Sequence, residues 1–368
     1  MYRALPIWDL TFFDLDDIFA EDEKSRNKFF VCLNYSICRR QMSSYIFYAS
    51  ISTAGVMALA SFYWIFKQRR NTQYVLNRNH SARPVVSHII FYPIKGCKGI
   101  ERYSVEVTEN GIVHDREYAI VEVDAADPKS CKAMSQAKIP KLSLIVPKSI
   151  TNDSITVSSP GMSDLIHNAV LKGSKYSIDF FGDQIEAIDQ GDQAAEWFSS
   201  FLGKKGLRFV KLSAGVSRRD ASGKMKQNSL FYATPILLVS KESLEEVSRK
   251  VGGVKVSHDR FRPNLVISGV KTPYLEDSME EVNIGSLRLI GSQICERCSI
   301  PGVDQTRGEL DIALLGKLRT IRSGKNLHNI NPKYKLNVKD NEYYLGVYFE
   351  PPSSAGSIRI FVGQELDI

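Results

Sequence analysis

The residues best suited to chemistry in this chain are Arg297 and Cys298, set within Ile294-Cys-Glu-Arg-Cys-Ser-Ile-Pro-Gly-Val-Asp304, with Phe261-Arg-Pro-Asn264 upstream. A cysteine beside a fixed positive charge has its thiolate favoured, and a thiolate either attacks an electrophile or binds a soft metal. A thiolate ligand next to anion-binding side chains points to a bound metal cofactor. Cys295-x-x-Cys298 has the spacing of a redox dithiol, but it lacks the βαβ setting that reading needs. No second cysteine pair or nearby histidine completes a structural zinc site. A buried structural cysteine is the plain alternative, Cys being among the most buried residue types; the surrounding motifs weigh against it.

Tyr92-Pro-Ile-Lys95-Gly-Cys-Lys98-Gly99 sets two lysines around a glycine-flanked turn at the end of a strand. Backbone N–H groups and ammonium charges can meet an anion there. His114-Asp-Arg116-Glu-Tyr-Ala-Ile120 puts an arginine at the start of the next strand, and Arg262 with Asn264 opens another. Arginine supplies the bidentate fork that phosphate favours, so three strand ends are expected to converge on one phosphate-bearing ligand. Taken singly, each arginine reads more readily as a surface ion pair and Asn264 as a strand-edge hydrogen bond. Their joint appearance carries the expectation.

Strands dominate the segments that must position these residues. Structure starts with the alternating Ser87-His-Ile-Ile-Phe-Tyr-Pro-Ile94, and short β-rich runs follow at Ser104–Thr108, Glu117–Val123, Ser143–Val146 and Ser154–Val157. Tyr176 to Ile188 reads as a hairpin about Gly182-Asp183. Ala194, Trp197, Phe198, Phe201 and Leu202 fall at helical spacing and are ended by Gly203, an aromatic stripe that reads as core packing. Later strands at 207–212, 235–239, 264–268, 287–290, 343–349 and 357–362 alternate with helices at 241–251 and 310–321. The class is α+β, mostly β, with barrel cores.

The chain has 368 residues, a net charge of +7 and six cysteines. The basic residues are scattered, which argues against a nucleic-acid partner, and the irregular cysteine spacing is not a disulfide framework. Three Asn-x-Ser sequons, at Asn34, Asn79 and Asn152, carry little weight for compartment. From Tyr45 to Phe66 no charge interrupts an apolar run long enough to cross a hydrocarbon core of roughly 30 Å, so one transmembrane helix is expected at 45–66. Lys67, Arg69, Arg70, Arg78 and Arg83 follow it, against Lys28, Arg39 and Arg40 before it, which places the C-terminal side in the cytosol. Residues 1–41 are too acidic for a mitochondrial presequence, and Met42 would open a shorter product as a clean signal anchor. The expected organisation is an N-terminal extension at 1–44, the anchor at 45–66, a tether at 67–84, and two β domains at 85–205 and 206–368.

Taken in order, Tyr-Pro-x-Lys-x-Cys-Lys-Gly at 92–99, Asp-Arg at 115–116, Asp189-x-Gly191 followed by Trp197, Phe-Arg-Pro-Asn at 261–264, and Cys-x-Arg-Cys with Val303-Asp304 resemble the MOSC superfamily, named for molybdenum cofactor sulfurase C-termini. Within it they resemble the membrane-anchored branch of mitochondrial amidoxime reducing components. The resemblance runs from about Val85 to the C-terminus. It implies an N-terminal MOSC-type β-barrel-like domain followed by a MOSC β-barrel domain. It also implies that Cys298 is the protein ligand of molybdenum in Mo-molybdopterin and that Arg297 flanks the cofactor. Lys95, Arg116, Arg262 and Asn264 would hold the pterin and its phosphate, with Thr234 giving a hydroxyl contact. Two positions depart from the pattern: Gly96 stands where the family often has Ser, and Glu296 where a small polar residue is usual.

The resemblance implies a reductase of small N-hydroxylated substrates, amidoximes and hydroxylamines, at the mitochondrial outer membrane. Its electrons would come from NADH through NADH-cytochrome b5 reductase and cytochrome b5; the chain has no dinucleotide fingerprint of its own. Two rivals stand beside it. Cys298 would carry a persulfide in a sulfur-carrier protein, or the barrel would survive only as a silent membrane adaptor.

Overall fold

The structure, a computed structural model, describes residues 83–368 apart from 125–126, 128–129, 181–182, 214–216, 220–224 and 228–234. The expected anchor at 45–66, the extension before it, almost all of the tether, and Thr234 lie outside the described residues. Among the described residues no helix is long and apolar enough to cross a membrane.

Strands β1 (Val85–Phe91) and β2 (Ile100–Arg102) come first. Five strands then close a barrel: β3 (Tyr118–Val123), β4 (Ser130–Ala133), β5 (Lys175–Phe180), β6 (Asp183–Asp189) and β7 (Leu207–Leu212), in the order β5-β6-β7-β3-β4. The expected hairpin is β5 paired antiparallel with β6, Tyr176 opposite Ala187. Helix α1 (Asp192–Leu202) covers the barrel because Ala194, Ala195 and Phe198 fall on one face, with the Phe198 ring 4.7 Å from Phe209 of β7. The αL residue Gly203 ends it, donating its N–H to Ser199 and Ser200.

Strands β8 (Ile236–Ser240), β9 (Leu265–Ser268), β10 (Glu281–Ile284), β11 (Leu287–Arg297), β12 (Tyr343–Glu350) and β13 (Leu366–Asp367) join β1 and β2 in an eight-stranded sheet, ordered β2-β1-β9-β8-β12-β11-β10-β13. A bridge between Val85 and Glu365 brings the β13 end back to β1, so the sheet rolls into a barrel-like body. Val86, Leu238, Leu265, Leu289, Val347 and Phe349 pack in one core. The other face is covered by α2 (Lys241–Lys250) and α3 (Ile312–Ile321), through Leu244, Val247, Leu314 and Leu318. Ser240 and Asp311 cap these helices by accepting from the Ser243 and Leu314 N–H groups. β12 is buried along nearly its whole length, as a central strand covered on both faces must be.

The two bodies share chain. β1 lies in the eight-stranded sheet, between β2 and β9, and β7 closes the five-stranded barrel although it follows residue 205. One expected strand is a correction: 140–144 forms a 3₁₀ turn opened by Pro140, with Leu142 and Ser143 buried, and the strand begins at Val146. Proline has no N–H to give a ladder but suits a helix start.

Candidate functional site

The end of β1, the start of β3, the start of β9 and the end of β11 meet in one region, which positions the motif residues. Asn264, just before β9, is held on both sides by main chain: its N–H donates to Leu237 O (2.8 Å) and its carbonyl accepts from Ile90 N (2.8 Å). The Asn264 side chain is then fully used. Its Oδ1 accepts from Leu237 N at 3.2 Å and Arg116 at 3.3 Å, and its Nδ2 donates to Ile90 O at 3.2 Å and Asp115 at 3.1 Å. A carboxamide offers two donors and two lone pairs, so none is left over. Asn264 therefore ties Arg116 to the sheet rather than offering atoms to a ligand.

Asp115 is the hub that the motif reading did not single out. It is fully buried and accepts from Tyr92 N (2.6 Å), from Asn264 and from the Arg116 guanidinium. Burial pushes its carboxyl up, while Arg116 and the hydrogen bonds oppose that rise. Arg116 also approaches the Arg262 carbonyl at 3.5 Å. Both arginines lie over the Tyr92 ring, Arg116 at 4.8 Å and Arg262 at 4.2 Å from its centre, and the Tyr92 hydroxyl donates to Pro263 O at 3.0 Å. Arg116 and Arg262 both have left-handed backbone, at φ 54° and 56°. That region is uncommon for residues with a side chain, and its strain collects at functional sites.

Arg262 and Arg297 share an electrostatic predicament. Each is 9% exposed, and neither has a carboxylate partner among the described residues. Arg262 donates to Cys97 O at 2.6 Å, and burial together with Arg116 lowers the hold on its proton. Arg297 donates to the Phe261 carbonyl and, at 2.7 Å, to Cys295 Sγ, and its Nε has no partner. Burial works against the Arg297 charge, while Cys295 and Tyr348 oppose that. A buried, unpaired cation is expensive, so the pair of them marks a place for an anion.

The cysteines separate by environment. Cys97 lies in the apolar core that also holds Tyr118, Leu142 and Phe198, its thiol pushed up to about 12 by burial against the opposing pull of Arg262, so it is no thiolate ligand. Cys295 is buried against Leu237 and Tyr348. Cys298, one residue beyond β11, is the exposed one of the four described cysteines. Its carbonyl accepts from the Tyr343 hydroxyl at 2.5 Å. The loop that follows is pinned by Arg260, which donates to Pro301 O (3.3 Å) and Val303 O (2.9 Å) and pairs with Asp304 at 3.4 Å. Among the described residues no group of three His, Cys, Asp or Glu side chains comes together as a metal site.

Of the residues singled out from sequence, Arg116, Arg262 and Asn264 therefore form one buried network. Arg297 joins it through Phe261, next in chain to Arg262, and Cys298 stands at its edge. Lys95 lies in the turn after β1, its N–H on Tyr118 O at 2.8 Å and its ammonium 3.5 Å from Met134 O. That turn is held by a buried amide pair, Gln136 donating to Gly96 O at 2.7 Å and Gln305 to Gln136 at 2.9 Å, for which the sequence carried no signal. The two departures have local causes. Gly96 sits at φ +82°, where glycine is free and serine is strained. Glu296 is exposed and turns to Lys339 at 3.3 Å, which compensates its charge away from the arginines.

Comparison with known proteins places these features. Residues 83–205 match the MOSC N-terminal beta barrel domain and residues 222–366 the MOSC domain. The chain is similar to mitochondrial amidoxime reducing component 2 of Bos taurus, 28% identical over 75% of this chain and 81% of that protein. It is similar also to mitochondrial amidoxime-reducing component 1 of Mus musculus, 31% identical over 61% of this chain and 67% of that one. Molybdenum cofactor sulfurase 1 of Aedes aegypti is 31% identical over 71% of this chain, which spans 36% of that longer protein.

Proposed function

Because the chain belongs to the MOSC family, with both of its domains present, we propose that it is a molybdenum cofactor-dependent reductase of N-hydroxylated compounds. The observation that carries this reading is the pair of buried arginines without carboxylates, Arg262 and Arg297, beside the exposed sulfur of Cys298. The donor set suits Mo-molybdopterin. Arg262, Arg297 and Lys95 supply charge for the pterin phosphate, Arg116 is aimed by Asp115 and Asn264, and Cys298 offers one soft ligand to the metal. With no protein cluster to complete a metal site among the described residues, the remaining ligands would come from the cofactor's own sulfur and oxygen.

When bound, the cofactor supplies a two-electron redox centre with an oxygen site. The balanced change is R–C(NH₂)=N–OH + 2 e⁻ + 2 H⁺ → R–C(NH₂)=NH + H₂O. The N–O bond breaks, nitrogen is reduced, and its oxygen leaves as water. The chain's own residues bind and orient. Arg297 anchors to Phe261 O, which fixes the backbone on which Cys298 rides, and Tyr343 fixes the Cys298 carbonyl from the facing strand. In this proposal electrons arrive from NADH through NADH-cytochrome b5 reductase and cytochrome b5, and the apolar run at 45–66 holds the protein on the mitochondrial outer membrane, facing the cytosol. The relatives named mitochondrial support that placement.

The exposure of Cys298 and the similarity to a sulfurase also favour a second reading, a Cys298 persulfide carrier. Metal analysis and pterin fluorescence on the chain made in a cofactor-synthesising host, beside Cys298→Ala, separate the two. Near-stoichiometric molybdenum and pterin, with metal lost in the variant, support the reductase. Folded protein with labile sulfur and neither metal nor pterin refutes it.

A further inference from the structure

His88 on β1 and His258 in the 3₁₀ turn His258–Arg260 meet with ring centres 5.0 Å apart and planes inclined by 31°. Each ring is held by a carboxylate. His88 Nδ1 lies 2.6 Å from Glu101 of β2, and His258 Nε2 lies 3.1 Å from Asp259. The bond from His258 holds the Asp259 carboxyl below the usual carboxylate range against the opposing effect of burial, and Lys98 and Arg262 add to it, so this acceptor is ionised near neutral pH. A neutral imidazole that donates through one nitrogen keeps a lone pair on the other. Those other nitrogens, His88 Nε2 and His258 Nδ1, take part in no hydrogen bond among the described residues. The two histidine side chains are 38% and 22% exposed, within reach of a hydrated ion.

We propose that His88 and His258 bind one divalent transition-metal ion of the class that imidazole favours, such as zinc or nickel, with Glu101 and Asp259 orienting the two rings. An imidazole nitrogen meets zinc at about 2.0–2.1 Å, which sets the ring centre about 3.2 Å from the ion, so two rings at a tetrahedral angle have centres about 5.2 Å apart. The observed 5.0 Å matches that spacing. A carboxylate on the far nitrogen is the partner that a metal-bound histidine usually keeps, because it fixes the tautomer and makes the ligating nitrogen more basic. No group of three His, Cys, Asp or Glu side chains forms a metal site among the described residues. Water would therefore fill the remaining positions, as in an open site, and not the closed set of four that marks structural zinc. The ion ties β1 to the turn ahead of Arg262. The His258 carbonyl accepts from the Phe261 and Arg262 N–H groups at 2.8 and 3.0 Å, so a metal on the His258 ring steadies the backbone on which Arg262 takes its left-handed conformation. The site does not rest on the reductase reading, since none of its four side chains hydrogen-bonds to Arg116, Arg262, Asn264 or Arg297.

The test is calorimetric titration of the full-length protein with zinc chloride and nickel chloride, with magnesium chloride as a hard-cation control. Wild type is compared with His88→Gln, His258→Gln and Glu101→Ala. Zinc also meets thiols, so the diagnostic event is the one present in wild type and missing from both histidine variants, whose cysteines are unchanged. Wild type is expected to take up one such equivalent of zinc or nickel and none of magnesium, and each glutamine variant to lose it. Glu101→Ala keeps both ligands and should weaken binding by about 10–100-fold, the usual effect of removing the carboxylate behind a ligating histidine. Its side chain is 56% exposed, so it still reports on the site where a histidine variant fails to fold, which melts without metal reveal. Zinc should raise the melting midpoint of wild type and leave those of the histidine variants where they are. Zinc and nickel binding that is the same in wild type and both histidine variants overturns the proposal, as does its loss in only one of them, or Glu101→Ala binding as tightly as wild type.

Discussion

Arg297→Met is expected to leave the cofactor-free protein at least as stable as the wild type while abolishing cofactor capture. The charge of Arg297 is 9% exposed and unmatched by any carboxylate among the described residues, and its Nε is unsatisfied. Its removal relieves several kcal/mol of desolvation and about 1–3 kcal/mol for the orphaned donor. Against this stand the bonds to Phe261 O and Cys295 Sγ, about 1.5–3 kcal/mol each for a charged donor. Methionine fills much of the vacated volume, so the balance falls between zero and about 2 kcal/mol in favour of the variant. At about 2–4 °C per kcal/mol, the empty variant should melt level with or a few degrees above empty wild type. Loading reverses the order: a ligand present at a thousandfold its Kd adds about 4.1 kcal/mol to the protein that binds it. The assay is urea and thermal unfolding of both proteins from hosts with and without cofactor synthesis, with pterin fluorescence on each. An empty variant weaker by about 3 kcal/mol or more, or one that keeps wild-type pterin, would falsify the view that this cation is kept for an external anion.

Three further outcomes are expected. Cys298→Ala, at an exposed position, should leave stability within about 0.5 kcal/mol while molybdenum content falls to background, read by thermal melts and metal analysis. Asp277 is fully buried against Arg322 at 2.5 Å, and burial pushes its carboxyl up to about 6 despite that partner, with Glu276 adding to the rise. A raised acid binds its proton more tightly when folded, so its contribution is present below the unfolded value of 3.8 and lost as pH rises through about 6. The stability difference between wild type and Asp277→Asn should change by on the order of 2 kcal/mol between pH 4 and 6.5, and a flat difference curve rejects this assignment. Gly96→Ser should cost about 1–2 kcal/mol in urea unfolding, since φ is +82° and a Cβ there would meet Leu142 at 3.3 Å; an unchanged midpoint would show that the turn relaxes.

Much of the fold was legible because period and punctuation agreed locally. The aromatic stripe from Ala194 to Leu202 closed by Gly203 became α1, and the run about Gly182 became the β5–β6 pair. Ser143 read as strand on composition alone, yet Pro140 three residues earlier had already begun a 3₁₀ turn. The arginines were legible because Phe-Arg-Pro-Asn and Asp-Arg are unusual strings. The roles within them were not. That Asp115 is a buried hub and Asn264 has no spare hydrogen bond depends on Ile90 and Leu237 arriving from distant strands, which no local pattern encodes. Gln136 and Gln305 lie 169 residues apart and meet only in the folded chain.

The order of strands in the eight-stranded sheet also sets when the protein can work. β12 (Tyr343–Glu350), near the end of the chain, is the strand inserted between β8 and β11, and its Tyr343 pairs with Arg297 and clamps the Cys298 carbonyl. On a ribosome, every arginine of the network and Cys298 itself emerge before the strand that holds them in register. Such distant pairings form late, because loop closure must precede them. The anion site is thus complete only once β12 has been made, and a nascent chain lacking β12 presents Arg297 to solvent on an unpaired strand edge. Cofactor delivery would therefore follow the making of β12, onto a body whose halves have already exchanged β1 and β7.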